Sequence, residues 1–386
     1  GYSIAMDSAG NSYVTGNFRG TARFGATTLT SSGYEDIYVC KLDPNGNFIW
    51  AKKAGGSSND YGKSIDVDSA GNCYVTGYFY GTASFGATTL TSSGEKEILA
   101  CKLDPNGNFL WAKKAGGMSY DQGFGIAVDS AGNSYVTGCF EGSANFGEIT
   151  LISSGYLDIF VCTLDTNGNF VWAVQAGGVF SCGYGIAVDS AGNSYVTGKF
   201  RYTASFGAHI ITNSGEYDIF ACKLDADGVF RWAVQAGGSR NDYGCGIAVD
   251  SAGNSNVAGY FLGTASFGAH ILTSSGSYDI FFCKLGSGTP VDDPTVPELA
   301  GDPILYPAWP NPCLRGQSAS IKAVVAERET GTLSVYNLRG ELISRRELAS
   351  GEHVISLDSR ELPSGLYFYR LATPSGVAVK KMAIIR

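Results

Sequence analysis

The chain has 386 residues, a formal net charge of −8 and only 16% charged residues. Binding to a phosphate backbone or to an anionic membrane surface requires clustered basic residues, so this charge disfavours nucleic acid and anionic lipid as partners. The sequence contains no run of about 18 apolar residues, so no transmembrane segment is predicted. Because the chain begins within a repeat, at GYSIAMD, we expect a processed N-terminus or a fragment.

A thirteen-residue stretch, IAVDSAGNSYVTG, occurs identically at residues 126–138 and 186–198. Near-copies at residues 4–16, 65–77 and 247–259 give a period of about 61 residues. Each unit is predicted to contain four short strands, of the types GIAVD, SYVTGYF, DIFVCKLD and FLWAKKAGG, separated by turn residues at hairpin spacing. A connection rich in Gly, Thr and Ser, such as YGTASFGATTLTSSG, joins the second and third strands.

The repeated DSAGN and PNGN segments are predicted to be turns. An Asp side chain can accept hydrogen bonds from the backbone N–H groups of a turn, while Gly and Asn tolerate positive φ. Calcium loops are the alternative. However, DPNGNF at residues 43–48 and 104–109 lacks the carboxylate spacing and the twelfth-position Glu of an EF-hand. The turn interpretation is therefore favoured.

Tandem units of four short strands are typical of β-propeller blades. Strands such as DIFVCKL are apolar on both faces, as expected for a sheet packed between two others. A tryptophan recurs in the fourth strand and is predicted to fill the space between blades rather than to form a ligand platform, at Trp50, Trp111, Trp172 and Trp232. The first three strands occur five times and the fourth strand four times. We therefore predict an all-β chain with a five-bladed β-propeller whose last blade lacks its outer strand, leaving an edge that the intact protein covers.

Half of the ten cysteines share one position in the third strand: Cys40, Cys101, Cys162, Cys222 and Cys283. Equivalent positions in neighbouring units are a whole structural unit apart, beyond the roughly 7 Å between Cα atoms that a disulfide tolerates. These cysteines are predicted to be small apolar core residues. The other five follow no common register, so cysteine usage does not fix the redox compartment.

The consensus unit, GIAVDSAGNSYVTG followed by ASFG and then DIFVCKLDPNGNFLWAKKAGG, closely resembles the SBBP β-propeller repeats of secreted bacterial proteins. The resemblance covers roughly residues 1–286 and recurs at every unit. It implies a scaffold and no particular activity. The family name implies seven blades, whereas this chain shows five units, so the blade number is not carried over.

Composition changes after Lys284, where the repeat ends. Residues 287–302 are rich in Pro, Gly and Asp and are predicted to be a flexible linker. Residues 303–386 contain short strand patterns separated by Gly and Ser turns, which predict a small β-sandwich.

The same C-terminal segment resembles the C-terminal sorting domain of the type IX secretion system. The residues that carry the resemblance are YPAWPNPC (306–313), LSVYNLRGELI (333–343), LPSGLYFYRL (362–371) and KKMAIIR (380–386). It implies an Ig-like sandwich that takes its cargo across the outer membrane through the type IX machinery, often being cut off afterwards. A generic sandwich at the end of a surface protein is the alternative, but it explains the YPAWPNPC start and the basic KK ending less well.

Motifs for catalysis or cofactor binding are absent from the sequence. His209, His270 and His353 have no Ser or Cys partner by motif and cannot make a zinc site of the usual composition. There is no G-x-S-x-G, P-loop or CxxC. We therefore expect no enzyme activity, no cofactor and no metal.

Eight acidic residues are candidates for a binding face, at the start of the third strand or in the connection between units: Asp36, Glu97, Asp158, Asp218, Asp279, Asp60, Asp121 and Asp242. In a propeller these positions share one face, opposite the DSAGN and PNGN turns. One hypothesis is a carboxylate-rich face that binds cations, or sugar hydroxyls beside Tyr34, Tyr156, Tyr217 and Tyr278. The alternative, which we favour, is that each acid is solvated and satisfies loop N–H groups.

These observations predict a non-enzymatic propeller scaffold, secreted or at the bacterial cell surface, exported by the type IX system. Its expected role is binding, adhesion or display, with a glycan or protein ligand on the face that carries the long loops. The alternative is the non-catalytic part of an extracellular enzyme whose catalytic domain lies upstream of Gly1. A purely structural envelope component is a third possibility.

Overall fold

The computed structural model describes residues 1–286, 304–305, 313–325, 329–339, 341–374 and 377–385. The chain divides into two compact units, residues 1–293 and 294–386. The predicted linker, residues 287–302, and residues 306–312 of the YPAWPNPC motif lie outside the described residues. The described residues form β-strands and turns with one short 3-10 helix, Ser359–Glu361, so the prediction of an all-β chain is confirmed. Within these ranges, no helix has the length and apolar character needed to cross a membrane.

Each repeat unit folds into an antiparallel sheet whose strands lie in sequence order. The first two units contain β1 (Ser3–Met6), β2 (Ser12–Phe24), β3 (Thr27–Leu42), β4 (Phe48–Gly56), β5 (Asp60–Val67), β6 (Cys73–Phe79), β7 (Thr82–Phe85), β8 (Thr88–Thr91), β9 (Glu97–Leu103) and β10 (Phe109–Ala115). The third and fourth units contain β11 (Gln122–Val128), β12 (Ser134–Phe140), β13 (Ser143–Phe146), β14 (Ile149–Ile152), β15 (Asp158–Leu164), β16 (Phe170–Gly177), β17 (Phe180–Val188), β18 (Ser194–Arg201), β19 (Thr203–Phe206), β20 (His209–Thr212), β21 (Asp218–Leu224) and β22 (Phe230–Gly238). The fifth unit contains β23 (Tyr243–Val249), β24 (Ser255–Phe267) and β25 (His270–Leu285). The predicted four strands are thus β1-β2-β3-β4, β5-β6-β9-β10, β11-β12-β15-β16 and β17-β18-β21-β22 in the first four units, and β23-β24-β25 supply the first three in the fifth.

The DSAGN segment forms the predicted turn between the first and second strands. In the first unit, Asp7 Oδ1 accepts hydrogen bonds from the backbone N–H groups of Ala9 at 3.0 Å and Asn11 at 2.9 Å. Gly10 has a φ of +82°, a conformation that favours glycine. The same two backbone bonds recur at Asp68, Asp129, Asp189 and Asp250. The need to form this turn in each of the five units therefore explains why the DSAGN residues recur.

Neighbouring units are joined along their first strands and through the tryptophans. The first strands pack in series, β1 against β5, β5 against β11, β11 against β17 and β17 against β23. Trp50 Nε1 donates a hydrogen bond to the carbonyl oxygen of Pro105 in the next unit at 3.0 Å. Trp111 makes the corresponding bond to Thr166 at 3.1 Å. These contacts place the tryptophans between adjacent units, as predicted.

The Gly/Thr/Ser-rich connection after the second strand, expected from the sequence to be a plain connection, folds into a hairpin. In the second unit β7 and β8 pair with each other, and β7 also pairs with β4 of the preceding unit through Gly56 and Ala83. Ala83 and Phe85 are buried whereas Ser84 is exposed, so alternation along TASF provides an apolar side that holds the hairpin to the core. In the first and fifth units this hairpin is continuous with its neighbours, in β2–β3 and β24–β25.

The outward sides of the first and fifth units are exposed. Ile37 in the third strand of the first unit is 1% exposed, whereas Ile280 at the same position of the fifth unit is 88% exposed. In the first strands, Ile65 of the second unit is 4% exposed and Ile4 of the first unit is 63% exposed. Among the described residues no fourth strand borders β25. The blade number of the natural protein and a cover for this edge stay predictions.

The cysteines comprise one disulfide and eight thiols, most of which are buried. Cys40, Cys101, Cys162 and Cys222 are buried free thiols and Cys283 is partly buried, in agreement with the predicted core role. Cys139 of β12 and Cys182 of β17 form a disulfide with their Cα atoms 4.9 Å apart. No pairing was predicted for these two residues because they occupy different repeat positions. The bond cross-links the third unit to the fourth.

The C-terminal unit consists of two sheets around one core. Its strands are β26 (Ile304–Leu305), β27 (Cys313–Leu314), β28 (Ser318–Val325), β29 (Gly331–Asn337), β30 (Leu342–Leu348), β31 (Gly351–Asp358), β32 (Gly365–Ala372) and β33 (Val377–Ile385). The sheets have the orders β26-β28-β31 and β27-β33-β32-β29-β30. Ile321 of the first sheet and Val335, Tyr369 and Met382 of the second share one hydrophobic cluster. This arrangement is compatible with the predicted small sandwich, and its Ig-like topology stays a prediction.

Candidate functional site

Seven of the eight candidate acids are buried, at 0–1% exposure: Asp36, Asp60, Glu97, Asp121, Asp158, Asp218 and Asp242. Asp279 is partly exposed. In the first pair, Asp36 Oδ2 accepts a hydrogen bond from the Ser32 N–H at 2.9 Å, and Asp60 Oδ2 accepts one from the Gly56 N–H at 2.7 Å. The other acids accept equivalent bonds from the N–H groups of Ser93, Gly117, Ser154, Ser214, Gly238 and Ser275. They satisfy loop N–H groups as the favoured interpretation expected, but from buried rather than solvated positions, and their participation in ligand binding stays a prediction.

At three of the junctions between units, six of these acids come together in pairs, Asp36 with Asp60, Glu97 with Asp121 and Asp218 with Asp242. A Cβ added at Gly55 would lie 2.8 Å from carboxyl atoms of both Asp36 and Asp60. Burial raises the pKa of Asp60 to about 6, and the nearby Asp36 adds to the effect. Burial likewise raises the pKa of Asp121 to about 7, with a contribution from Glu97. In the described part of the chain, no three His, Cys, Asp or Glu side chains are grouped so that they could hold a metal ion.

The same end of the sheets carries a second set of side chains, which differ from one unit to the next. We define the variable face as the side chains at five repeat positions. Within each position, the residues follow the order of the units. The positions hold Tyr2, Lys63, Phe124, Tyr184 and Cys245; Tyr61, Gln122, Cys182 and Tyr243; Asn17, Tyr78, Cys139, Lys199 and Tyr260; Arg19, Tyr80, Glu141, Arg201 and Leu262; and Glu35, Lys96, Leu157, Tyr217 and Tyr278. The residues between them are constant, as with Gly77 and Phe79 on either side of Tyr78. Because side chains alternate along a strand, the constant phenylalanines fill the core while the variable positions occupy the other side, where all but Tyr78, Cys139 and Cys182 are partly or fully exposed.

Aromatic rings link the variable face across the units. The ring centroids of Tyr61 and Tyr78 are 4.9 Å apart, those of Tyr78 and Phe124 are 6.4 Å apart, and those of Phe124 and Tyr184 are 5.3 Å apart. Further ring contacts join Tyr217, Tyr243, Tyr260 and Tyr278. We call this series the aromatic row. Its flat rings and phenol groups can stack on a ligand and form hydrogen bonds with it.

Lysines lie within the aromatic row. Lys63 Nζ is 3.8 Å from the ring centroid of Tyr2, and Lys199 Nζ is 4.4 Å from that of Tyr217. Burial lowers the pKa of both ammonium groups. Within the described ranges, neither lysine forms an ion pair with a carboxylate. The rings stabilise both charges through cation–π contacts, and the Glu35 carboxylate also favours the charged form of Lys63.

Sequence reasoning identified only part of this site. Tyr217 and Tyr278, proposed as neighbours of the acids, belong to the aromatic row, while Tyr34 lies under Arg19 and Tyr156 contacts Phe180. The lysines and most of the tyrosines were missed. A position-by-position comparison of the five units contains the signal, because charge and aromatic character change at alternate residues of otherwise constant strands.

Comparison with protein families identifies both parts of the chain. A model described as a β-propeller repeat, SBBP, matches residues 49–78, 110–138 and 171–199. A model described as a secretion system C-terminal sorting domain matches residues 307–385. The chain thus contains SBBP β-propeller repeats and a type IX sorting domain, as the resemblances predicted. The sorting domain indicates export to the cell surface or the medium.

Curated relatives match a limited part of the chain. An uncharacterized WD repeat-containing protein of Acanthamoeba polyphaga mimivirus is 31% identical over 154 residues, which is 36% of this chain and 11% of that protein. The regulatory protein FlaEY of Caulobacter vibrioides is 26% identical over 141 residues, which is 36% of this chain and 15% of that protein. The matched segment therefore spans less than a fifth of either relative.

Solved structures show a weak overall likeness. A copper-bound fungal alcohol oxidase aligns over 99% of this chain and 96% of its own, with 12% identity and a TM-score of 0.28. A glycoside hydrolase family 43 arabinoxylan arabinofuranohydrolase from Bacillus subtilis, in complex with cellotetraose, aligns over 99% of this chain and 94% of its own, with 14% identity and a TM-score of 0.32. At these scores neither likeness supports a conclusion about this chain.

Proposed function

We propose that residues 1–286 form a non-enzymatic ligand-binding module, exported by the type IX system and displayed or released outside the cell, with the variable face as its binding surface. One observation carries the proposal. Five units that repeat the same turns and core residues differ in aromatic and charged side chains at positions that meet at one end of the sheets. Folding requires the constant residues, so the differing ones are free to determine what is bound.

The construction of the variable face favours binding. Its side chains stand on strands or directly beside strand ends rather than on long loops, and in the second to fourth units these strands pack between neighbouring units, so the face is preorganised there. The ring contacts between units hold the tyrosines in place and reduce the side-chain entropy lost when a ligand binds. An extended glycan or a protein segment matches a row of rings that continues from unit to unit.

The positions and hydrogen bonds of the titratable side chains favour a binding role over catalysis. The acids nearest to the variable face are buried and bonded to loop N–H groups, as with Asp60 and Gly56. His209 and His270 begin β20 and the hairpin part of β25, away from the variable face. Among the described residues, no nucleophile with a neighbouring base is positioned at the aromatic row.

The proposal can be tested with the full chain on arrays of bacterial and plant glycans and of cell-surface proteins. The face variant is Tyr61→Ala combined with Tyr243→Ala. The control is Ile210→Ala combined with Ile271→Ala, which truncates two side chains that are 67% and 70% exposed on the outer hairpins. We expect the face variant to lose about tenfold or more in affinity and the control to bind normally, with circular dichroism confirming that both fold. Equal binding by both variants would remove the variable face as the site.

A further inference from the structure

The fourth unit places two cations together on the variable face. Lys199 and Arg201 occupy alternate positions of β18 and therefore project from the same side of the sheet. Lys199 Nζ lies 4.4, 5.0 and 5.9 Å from the ring centroids of Tyr217, Tyr243 and Tyr184. The guanidinium carbon of Arg201 lies 5.8 Å from the ring centroid of Tyr217. We call these five side chains the Lys199 cup.

The two cations of the Lys199 cup lack anionic partners among the described residues. Neither of them forms an ion pair, and Arg201 Nε is buried with no hydrogen-bond partner in that part of the chain. Glu216, next to Tyr217, uses its carboxylate to accept a hydrogen bond from Asn241 Nδ2 at 2.8 Å. A partly buried cation without an anion is costly, so an arriving anion gains the charge-assisted bonds that the protein leaves unmade.

The pair of cations is specific to the fourth unit. The two positions are occupied by Asn17 and Arg19, Tyr78 and Tyr80, Cys139 and Glu141, and Tyr260 and Leu262 in the other units. Since those units fold into the same sheet without two cations, the framework does not require Lys199 or Arg201. A ligand offers a reason for their presence that folding does not.

We propose that the Lys199 cup binds the anionic group of an acidic polysaccharide, either a uronate carboxylate or a sulfate ester, while the surrounding tyrosines pack against the sugar rings. This inference rests on the proposed function and names the ligand class for the variable face. The planar guanidinium of Arg201 suits two oxygens of a carboxylate or sulfate, and the Lys199 ammonium supplies a compact second charge.

A polymer fits better than an isolated anion because the recognition features continue outside the cup. The aromatic row extends through Phe124 and Tyr78 to Lys63, whose ammonium lies 3.8, 5.1 and 5.5 Å from the rings of Tyr2, Tyr61 and Tyr78. This second lysine, which also interacts with the Glu35 carboxylate, offers a weaker second subsite for a repeating negative charge. The net charge of −8 opposes general attraction of polyanions, so binding depends on the local cations.

The experiment measures binding of the full chain to four probes by calorimetry at low and at physiological salt. The probes are polygalacturonate, its fully methyl-esterified and hence neutral form, a sulfated galactan, and poly-glutamate as an acidic peptide. The test variant is Lys199→Gln combined with Arg201→Gln, and Lys199→Arg is the charge-conserving variant. Lys223→Gln is the matched control, because Lys223 lies 5.3 Å from the Tyr195 ring at the opposite end of the same sheet.

We expect polygalacturonate or the sulfated galactan to bind, and the double variant to lose about tenfold or more in affinity while Lys199→Arg and Lys223→Gln retain it. The stronger of these two polymers identifies the anionic group. Binding should weaken with added salt. Equal binding of the neutral polymer, or full affinity in the double variant, would overturn the cup while leaving the variable face intact as a binding surface. Equally tight poly-glutamate binding would overturn the saccharide assignment. If all four probes fail to bind while arrays still show a ligand lost in the Tyr61→Ala and Tyr243→Ala variant, the cup proposal fails and the proposed function stands.

Discussion

The two ends of the repeat sheets differ in how far their residues are the same from unit to unit. At the turn end every unit repeats one set of bonds, in which an Asp carboxylate accepts from two backbone N–H groups and from an Asn side chain, as at Asp189. At the variable face, equivalent positions hold lysine, tyrosine, cysteine or asparagine. The same residues therefore recur at the turn end, where their side chains are needed to satisfy the backbone groups of the turn. At the variable face the backbone groups are already paired within the sheet, so the residues can differ between units.

The carboxylates of the two ends also differ in their electrostatics. Hydrogen bonds from the Asn47 side chain and backbone hold the pKa of Asp43, in the second turn type, below its usual value. At the other end, burial raises the pKa of Asp60, Asp121 and Asp218. Asp43 is therefore ionised at neutral pH, whereas Asp60, Asp121 and Asp218 retain protons into the range near neutrality.

The largest expected effect comes from the constant glycine that precedes a variable position in each second strand, Gly77 in the second unit. A Cβ on Gly77 would be 1.8 Å from the carbonyl oxygen of Tyr61, whereas a Cβ on Gly246 would meet no atom within 4 Å. We expect Gly77→Ala to lower the free energy of unfolding by about 3 kcal/mol or more, because the first two strands must separate. Gly246→Ala should change it by less than about 1 kcal/mol. Urea titrations followed by tryptophan fluorescence measure both, and equal costs would show that the constant glycines are not a framework requirement.

The disulfide offers the next test, because it connects two positions of the variable face. Cys139 and Cys182 are 43 residues apart in sequence and link the third unit to the fourth. At this junction the repeat position that holds Asp60, Asp121 and Asp242 at the other junctions is occupied by Ser181. Reducing the bond should cost roughly 2–4 kcal/mol through the added freedom of the unfolded chain.

The disulfide prediction is checked by thermal unfolding with and without a reductant. The melting temperature of the Cys139→Ala, Cys182→Ala variant should be low and insensitive to reductant. Cys245→Ser alters an exposed free thiol and serves as the control, which should keep the reductant response of the parent protein. A parent protein that melts at the same temperature in both buffers would contradict a stabilising cross-link between these units.

A pH series tests the electrostatic half of the comparison. The folded-state pKa values of Asp60, about 6, and Asp121, about 7, lie above the unfolded value of 3.8. The stability linked to them is complete below about pH 4 and is lost as pH rises through 6 to 7, since the unfolded chain releases these protons first. Asp36 and Glu97 face them, and Lys53 and Lys114 lie 3.5 and 3.0 Å from those partners.

We therefore expect the melting temperature to be about 5 °C or more higher at pH 5 than at pH 8. The Asp60→Asn, Asp121→Asn variant should show a flatter profile over this range. Asp43 and Asp165 at the turn end have lowered pKa values, so their contribution is lost only below about pH 4 and does not affect this range. A parent profile that rises from pH 5 to pH 8 would show that the buried pairs are ionised in the folded protein.

Much of the fold could be read from the sequence because repetition samples each element several times. The DSAGN turn, the four strands and the inter-unit tryptophans all follow from residue types that recur at one register. The TASF hairpin was missed because its Gly, Thr and Ser content is also typical of loops, and only its pairing with β4, β16 or β22 distinguishes it. The disulfide and the Lys199 cup were missed for the opposite reason: Cys139, Cys182 and Lys199 each occur once at their register, and only the fold brings them to their partners.

The smallest expected effect concerns Lys199 itself, compared with the turn of the same unit. Asp189 accepts hydrogen bonds from Ala191 N–H, Asn193 N–H, the Asn193 side chain and the Tyr195 hydroxyl at 2.9, 2.9, 2.8 and 3.1 Å. Asp189→Ala should therefore lower the free energy of unfolding by roughly 1–3 kcal/mol. Lys199→Gln should change it by less than about 0.5 kcal/mol, because losing the cation–π contacts is offset by removing a charge that burial disfavours. If Lys199→Gln costs as much as Asp189→Ala, the cation supports the fold of the fourth unit, and its place on the variable face no longer argues for a ligand.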